Sequence, residues 1–210
     1  MIYYSFTSGS RCLLFLLFYF GLTESLFAQN WTLERDKSGV KVYTRYVEGW
    51  PLKQFKGIVN IKSSIKTLEK TLRNDVARSY WMYNTHDTKD VKKLNDNEIY
   101  SYSRVAAPWP VSDRDNVTKY TFKKISDNEM YIYFTNVSGI VPEQYNIIRL
   151  KRMEGHWHFK IVDGGYVQVT QQVLSEAGGS VPSWLANSAI LDSPYHTLLN
   201  LKNYVEKGKI

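Results

Sequence analysis

The chain has 210 residues, 43% hydrophobic and 15% aromatic, with a formal net charge of +7 and one cysteine. The cationic excess is scattered, with no run of five or more like charges. That fits a solvated basic surface or attraction to an anionic membrane and speaks against nucleic acid. The lone Cys12 excludes a disulfide framework and a cysteine-ligated metal, so stability rests on packing, to which the aromatic residues contribute.

Residues 1–28 read as an export signal: Arg11 is basic, Cys12 to Leu22 are apolar, and Ala28 precedes a plausible cut. Eleven apolar residues fall short of the roughly 20 that a bilayer span needs. An uncleaved anchor or a buried first helix is the competing reading. Cleavage removes one Arg and one Glu, so residues 29–210 keep the charge of +7 and suffice for one domain with a sizeable core. The expected location is then the periplasm or the outside of the cell.

Val40 to Val47 alternate apolar and polar side chains and predict a strand. A Gly49-Trp50-Pro51 turn leads to its partner near Gln54 to Ile61. Ser63 or Ser64 caps a helix carrying Ile65, Leu68 and Leu72 at helical spacing. Asp75 caps a second short helix that reaches Tyr83 and carries Trp81. Strands are then predicted near His86–Leu94, Glu98–Ala106, Asn116–Ile125, Glu129–Asn136, Gln144–Met153, His156–Val162 and Gly165–Leu174. Turn-forming clusters such as Asn95-Asp-Asn97 and Asp163-Gly-Gly165 separate them. A final helix opens after Gly178-Gly179, with Ser180 as N-cap and Pro182 in its first turn. Its apolar stripe includes Leu191, Tyr195, Leu198 and Leu201, and Pro194 is expected to kink or break it near Ser193. The order predicts an α+β domain with helices on one side of a largely antiparallel sheet.

Several of these segments resemble one family in order and spacing. Pro108-Trp-Pro-Val-Ser-Asp-Arg-Asp115 resembles a loop-and-strand signature of START domains, the lipid-transfer domains related to steroidogenic acute regulatory protein. Val40 to Arg45, Pro142-Glu143 with Ile147 to Arg149, Gly155-His-Trp157, and Gly178 to Asn187 followed by Pro194-Tyr195 are similar to further segments of it. The likeness runs from about Trp31 to Val205 and suggests an exported bacterial-type member. It implies the helix-grip fold: a curved antiparallel sheet around a long C-terminal helix, with an internal tunnel for one lipid or sterol. It implies a binding or carrier role without catalysis and without a cofactor, and places Ala107 to Ser112 at the tunnel mouth.

The candidate tunnel and mouth residues are Trp81, Tyr100, Tyr102, Trp109, Arg114, Tyr133, Leu191, Tyr195 and Leu198. Arg114 either meets the polar end of a ligand or forms a structural ion pair, with Asp96 or Glu98 as the expected carboxylate. Trp109 reads as a gate or as a surface clamp between two prolines. Tyr100 and Tyr102 share one strand face, as do Tyr131 and Tyr133, but alternation alone does not say which face is concave. Leu191, Tyr195 and Leu198 face the sheet as lid or as ordinary core. His156 and His158 point the same way, but no third ligand is spaced to complete a metal site. The expected partners are a hydrophobic ligand and transiently a membrane surface. The alternative reading is a helix-grip enzyme working by proton transfer, with Asp113 or Asp115 as base.

Overall fold

The computed structural model describes residue 1 and residues 30–208, so the expected export signal lies outside the described residues. The chain opens with β1 (Thr32–Lys37), β2 (Val40–Arg45) and β3 (Gln54–Lys62), then α1 (Ile65–Arg73) and α2 (Asp75–Trp81). It continues through β4 (Thr85–Asn95), β5 (Glu98–Val105), β6 (Arg114–Ser126) and β7 (Glu129–Asn136). β8 (Ile148–Arg149), β9 (Met153–Val162), β10 (Tyr166–Ser175) and α3 (Ser183–Lys207) complete it. The sheet runs β1-β2-β3-β10-β9-β7-β6-β5-β4, with β8 beside β6. The neighbours along that path are antiparallel, and α3 lies across the concave face. This is the helix-grip fold.

Period-two burial fixes the inward face. On β2 it is Val40, Val42 and Thr44; on β10 it is Val167, Val169, Gln171 and Val173. At one end these side chains meet Phe159 and Met130 of the sheet, Leu68, Leu72 and Trp81 of the short helices, and Leu198 and Leu201 of α3, forming a solid core. α1 starts where the Ser64 side chain accepts the Thr67 N–H. Asn74, rather than the expected Asp75, caps α2 by accepting from Ala77 N–H. Asp75 instead accepts the backbone N–H of Asp90 and fastens α2 to β4.

Two glycines let the layers close. A Cβ on Gly57 would sit 2.5 Å from Leu198 Cδ1, so its absence lets α3 descend onto β3. On Gly155 a Cβ would lie 2.1 Å from the Gln172 carbonyl oxygen and 2.6 Å from the Phe134 ring.

Three of these expectations need correction, and one strand was not anticipated. β1 has no apolar alternation; it is a charged, largely exposed edge strand, a composition that discourages pairing with other chains. Gln144–Met153 is mostly loop, and only Ile148 and Arg149 pair, in parallel with Arg114 and Asp115. The Arg149 side chain explains it: the guanidinium binds Asp115 and the carbonyls of Val141 and Pro142, folding the segment against β6. α3 begins at Ser183 with Pro182 as N-cap and no side-chain cap, later than Ser180 would set it. Pro194 does not break α3, which continues through it to Lys207.

Candidate ligand-binding cavity

Between the concave face and the first half of α3 lies a cavity of about 670 Å³, within the roughly 300–1,000 Å³ typical of small-molecule sites. Phe55, Tyr120, Phe134, Met153, Trp157 and Val173 wall it on the sheet side; Leu185, Ala186, Ala189 and Ile190 roof it from α3. Its mouth is edged by Leu52 and Lys53, by Ala106 to Pro108, and by Val181. Polar side chains also line the walls, and several of them are tied to protein partners. Asn116 Oδ1 accepts from Thr118 Oγ1 (2.7 Å) and Ser103 Oγ (3.2 Å), and Thr197 Oγ1 accepts the Tyr83 N–H.

Arg114 is the one sequence-derived candidate that lines this cavity. It is 8% exposed, and no carboxylate pairs with it among the described residues. Its guanidinium donates instead to the carbonyls of Ser112, Ala177 (3.2 Å) and Gly178 (3.1 Å). Burial lowers its pKa and the Asp113 charge partly offsets that. The side chain clamps the strap between β10 and α3 to the start of β6. Asp96 and Glu98, expected as its partners, pair with Lys93 and Lys119.

The remaining candidates lie elsewhere. Trp109 is 92% exposed, next to the lining Pro108. Tyr100 and Tyr102 are paired with Lys119 and Val117, on the outer face of the sheet rather than the concave one. Tyr102 is covered there by the loop before β8: Gln144 Nε2 donates to its hydroxyl at 3.2 Å, and burial with the Asp115 charge raises its pKa. Tyr133 is also on the outer face, 42% exposed and stacked on Tyr131. Trp81 stands edge-on to Trp157 in the core behind the cavity, its Nε1 without a partner. Tyr195 and Leu198 belong to the core, and Leu191 packs against it. A one-residue step in strand register separates the outer tyrosines from the wall: each pair shares a face as expected, and that face is the outer one.

The acidic pair of the proton-transfer reading is also outside. Asp115 is buried behind the sheet and bound by Arg149 Nε (2.6 Å) and Nη2 (2.9 Å). Asp113 takes Arg104 Nε at 2.8 Å and the Ala107 N–H at 3.1 Å; these outweigh the burial that would raise its pKa and hold it low. Two carboxylates do line the cavity: Glu176 just after β10, whose Oε1 accepts the Lys151 N–H, and Asp192 of α3. Burial pushes its pKa up, but bonds from Ser188 and Arg35 and the charges of Arg35 and His196 prevail, so it stays below its ordinary value.

Sequence reasoning missed Gln171, whose side chain lines the cavity. The signal was present: Gln171 occupies the apolar register Val167, Val169, Val173 of its strand.

Residues 25–193 match the START domain family, and the chain belongs to it. It is 35% identical over 189 residues to an uncharacterized protein of Pseudomonas aeruginosa, covering 90% of this chain and 93% of that one. It is 36% identical, with a TM-score of 0.76, to the crystal structure of a STAR-related lipid transfer protein fragment from Xanthomonas axonopodis, covering 83% of this chain and 98% of that one. The phosphatidylcholine transfer protein of Rattus norvegicus is 24% identical over 170 residues, 79% of this chain and 78% of the relative.

Proposed function

We propose that the protein binds a lipid or other hydrophobic small molecule in this cavity and serves as its carrier, without catalysis. The supporting observation is the largely apolar hollow of about 670 Å³ between the concave sheet and α3. Each buried CH₂ of a guest is worth about 0.8 kcal/mol, so walls of this kind supply most of the affinity. Membership of a family that includes lipid transfer proteins supports the same reading. A non-catalytic role is supported by the arginine partners of Asp113 and Asp115 outside the cavity and by the ion-paired state of Asp192.

The mouth points to a membrane as the place of exchange. Trp109 stands exposed beside it, and the chain's net charge of +7 favours anionic surfaces. The apolar run of residues 12–22 supports an exported carrier.

Organic extraction of the purified protein followed by mass spectrometry tests the reading. A stoichiometric lipid is expected. A protein that remains empty after incubation with vesicles of diverse lipids would exclude a carrier.

A further inference from the structure

A second pocket, of about 330 Å³, opens on the outer face of the sheet, and Phe134 is the one residue that lines both it and the hollow under α3. Tyr133, His156 and Gln172 fall in one row across β7, β9 and β10, and Thr135 and Glu154 begin the next row. Tyr133 supplies a single aromatic wall. Its ring lies parallel to that of Tyr131, at 8° and 5.5 Å between centroids, and Tyr131 in turn stacks on His158 at 4.2 Å. Tyr131 does not line the pocket, so one face of Tyr133 is covered and the other is turned to the pocket. The column of stacked rings holds Tyr133 in place before any guest arrives, which lowers the ordering cost of binding.

Around that free face stand polar groups not committed elsewhere. Among the described residues, the side chains of Thr135, Glu154, His156 and Gln172 make no hydrogen bond within the protein. Burial, with the His158 charge adding to it, lowers the His156 pKa. The imidazole is therefore neutral at neutral pH and can both donate and accept. Lys119, by contrast, is held by Glu98 at 2.5 Å, and Gln54 accepts from Arg45 Nε at 2.7 Å.

We propose that this outer pocket binds a neutral saccharide of one or two pyranose rings, stacked on the free face of Tyr133. The C–H face of a pyranose is apolar and slightly positive, which suits the negative face of an aromatic ring. Its rim of hydroxyls donates and accepts. Glu154 would take charge-assisted bonds from them, and the Gln172 amide and His156 would serve in either sense. Other guests fit less well. An anion would meet the Glu154 carboxylate, with Lys119 already paired. A quaternary ammonium would find one ring in place of an enclosing aromatic cage, and a lysine beside it. The volume lies at the low end of the roughly 300–1,000 Å³ of small-molecule sites and leaves no room for a long-chain lipid.

The test is an amide-shift titration of the isotope-labelled protein by nuclear magnetic resonance, with maltose, cellobiose and diacetylchitobiose each taken to its solubility limit. At least one saccharide is expected to shift the amides of residues 133–135, 154–156 and 172. Tyr133→Ala should weaken that binding about ten-fold, on the order of one aromatic contact. Tyr133→Phe should keep it, because the ring face and not the hydroxyl is used. Should Tyr133→Ala fail to fold, Gln172→Ala is expected to weaken binding several-fold, the size of one hydrogen bond. Shifts from none of the three sugars, or shifts confined to other regions, overturn the proposal. So does an affinity that survives Tyr133→Ala, or one that Tyr133→Phe loses as fully. Tetramethylammonium, phosphate or adenosine acting on the same amides at lower concentration than every sugar also overturns it. A fluorescent lipid bound under α3 reports on the carrier reading separately, since the two sites open on opposite faces of the sheet.

Discussion

Asp115 and Arg149 form a largely enclosed ion pair, their side chains 1% and 9% exposed, with two bonds between them. Asp115→Ala leaves the guanidinium buried without its carboxylate and is expected to cost about 3–5 kcal/mol in a urea melt. Because Arg149 also holds the carbonyls of Val141 and Pro142, amide exchange over that loop should accelerate in the same variant. Gly155→Ala should be the worse of the two glycine substitutions. Its Cβ meets backbone oxygen, whereas that of Gly57→Ala meets the end of a leucine side chain. Overpacking on the order of 1–3 kcal/mol is expected at Gly57 and more at Gly155, read from denaturation midpoints. At this scale the sequence was informative about neighbours and silent about sides. Tyr100 and Tyr102 do share a face, but the choice of inner face depends on where α3 lands, which no strand encodes. Gln171 was the readable exception, a polar residue in an apolar register.

The elements themselves were largely legible, because their signals are local. Ser64 and the Leu68–Leu72 spacing mark α1, and the turn residues between strands mark the hairpins. β1 and β8 were not: β1 is charged and lacks apolar alternation although its partner β2 follows directly, and β8 exists through the Asp115–Arg149 pair, distant in the chain. The break allowed for at Pro194 does not occur, since removing one backbone donor is tolerated by a helix packed along the sheet. Another long-range tie joins the two ends of the chain: Arg35 of β1 donates to Asp192 of α3 at 2.9 Å and lies over the Tyr195 ring. Asp192 has a lowered folded-state pKa, so its contribution is complete above the ordinary carboxylate range and fades as pH falls through the lower folded value. Native protein and Asp192→Asn should therefore differ by about 0.5–1 kcal/mol at neutral pH, as partly exposed pairs do, and converge in acid. Denaturation midpoints across that range check the sign; a difference that grows on acidification would refute it.

At the level of the whole molecule, order and hollow are segregated. One end, around Val169, Phe159 and Leu201, is filled; the other is walled but open. Filling the hollow should separate folding from binding. Ala186→Trp, placed in the roof, is expected to fold with an undiminished melting temperature and to lose ligand. The native protein should melt higher with a saturating lipid, by about 2.7 kcal/mol of added stability at a hundred-fold excess over Kd. Equal upshifts in both proteins would place the ligand elsewhere. The filled end carries one more consequence. With Val169 and Phe159 sealing the rear, traffic is two-way through a single doorway. Alterations at Trp109 would then speed or slow arrival and departure together and leave the equilibrium where it was, whereas alterations at the sealed end would change residence time alone.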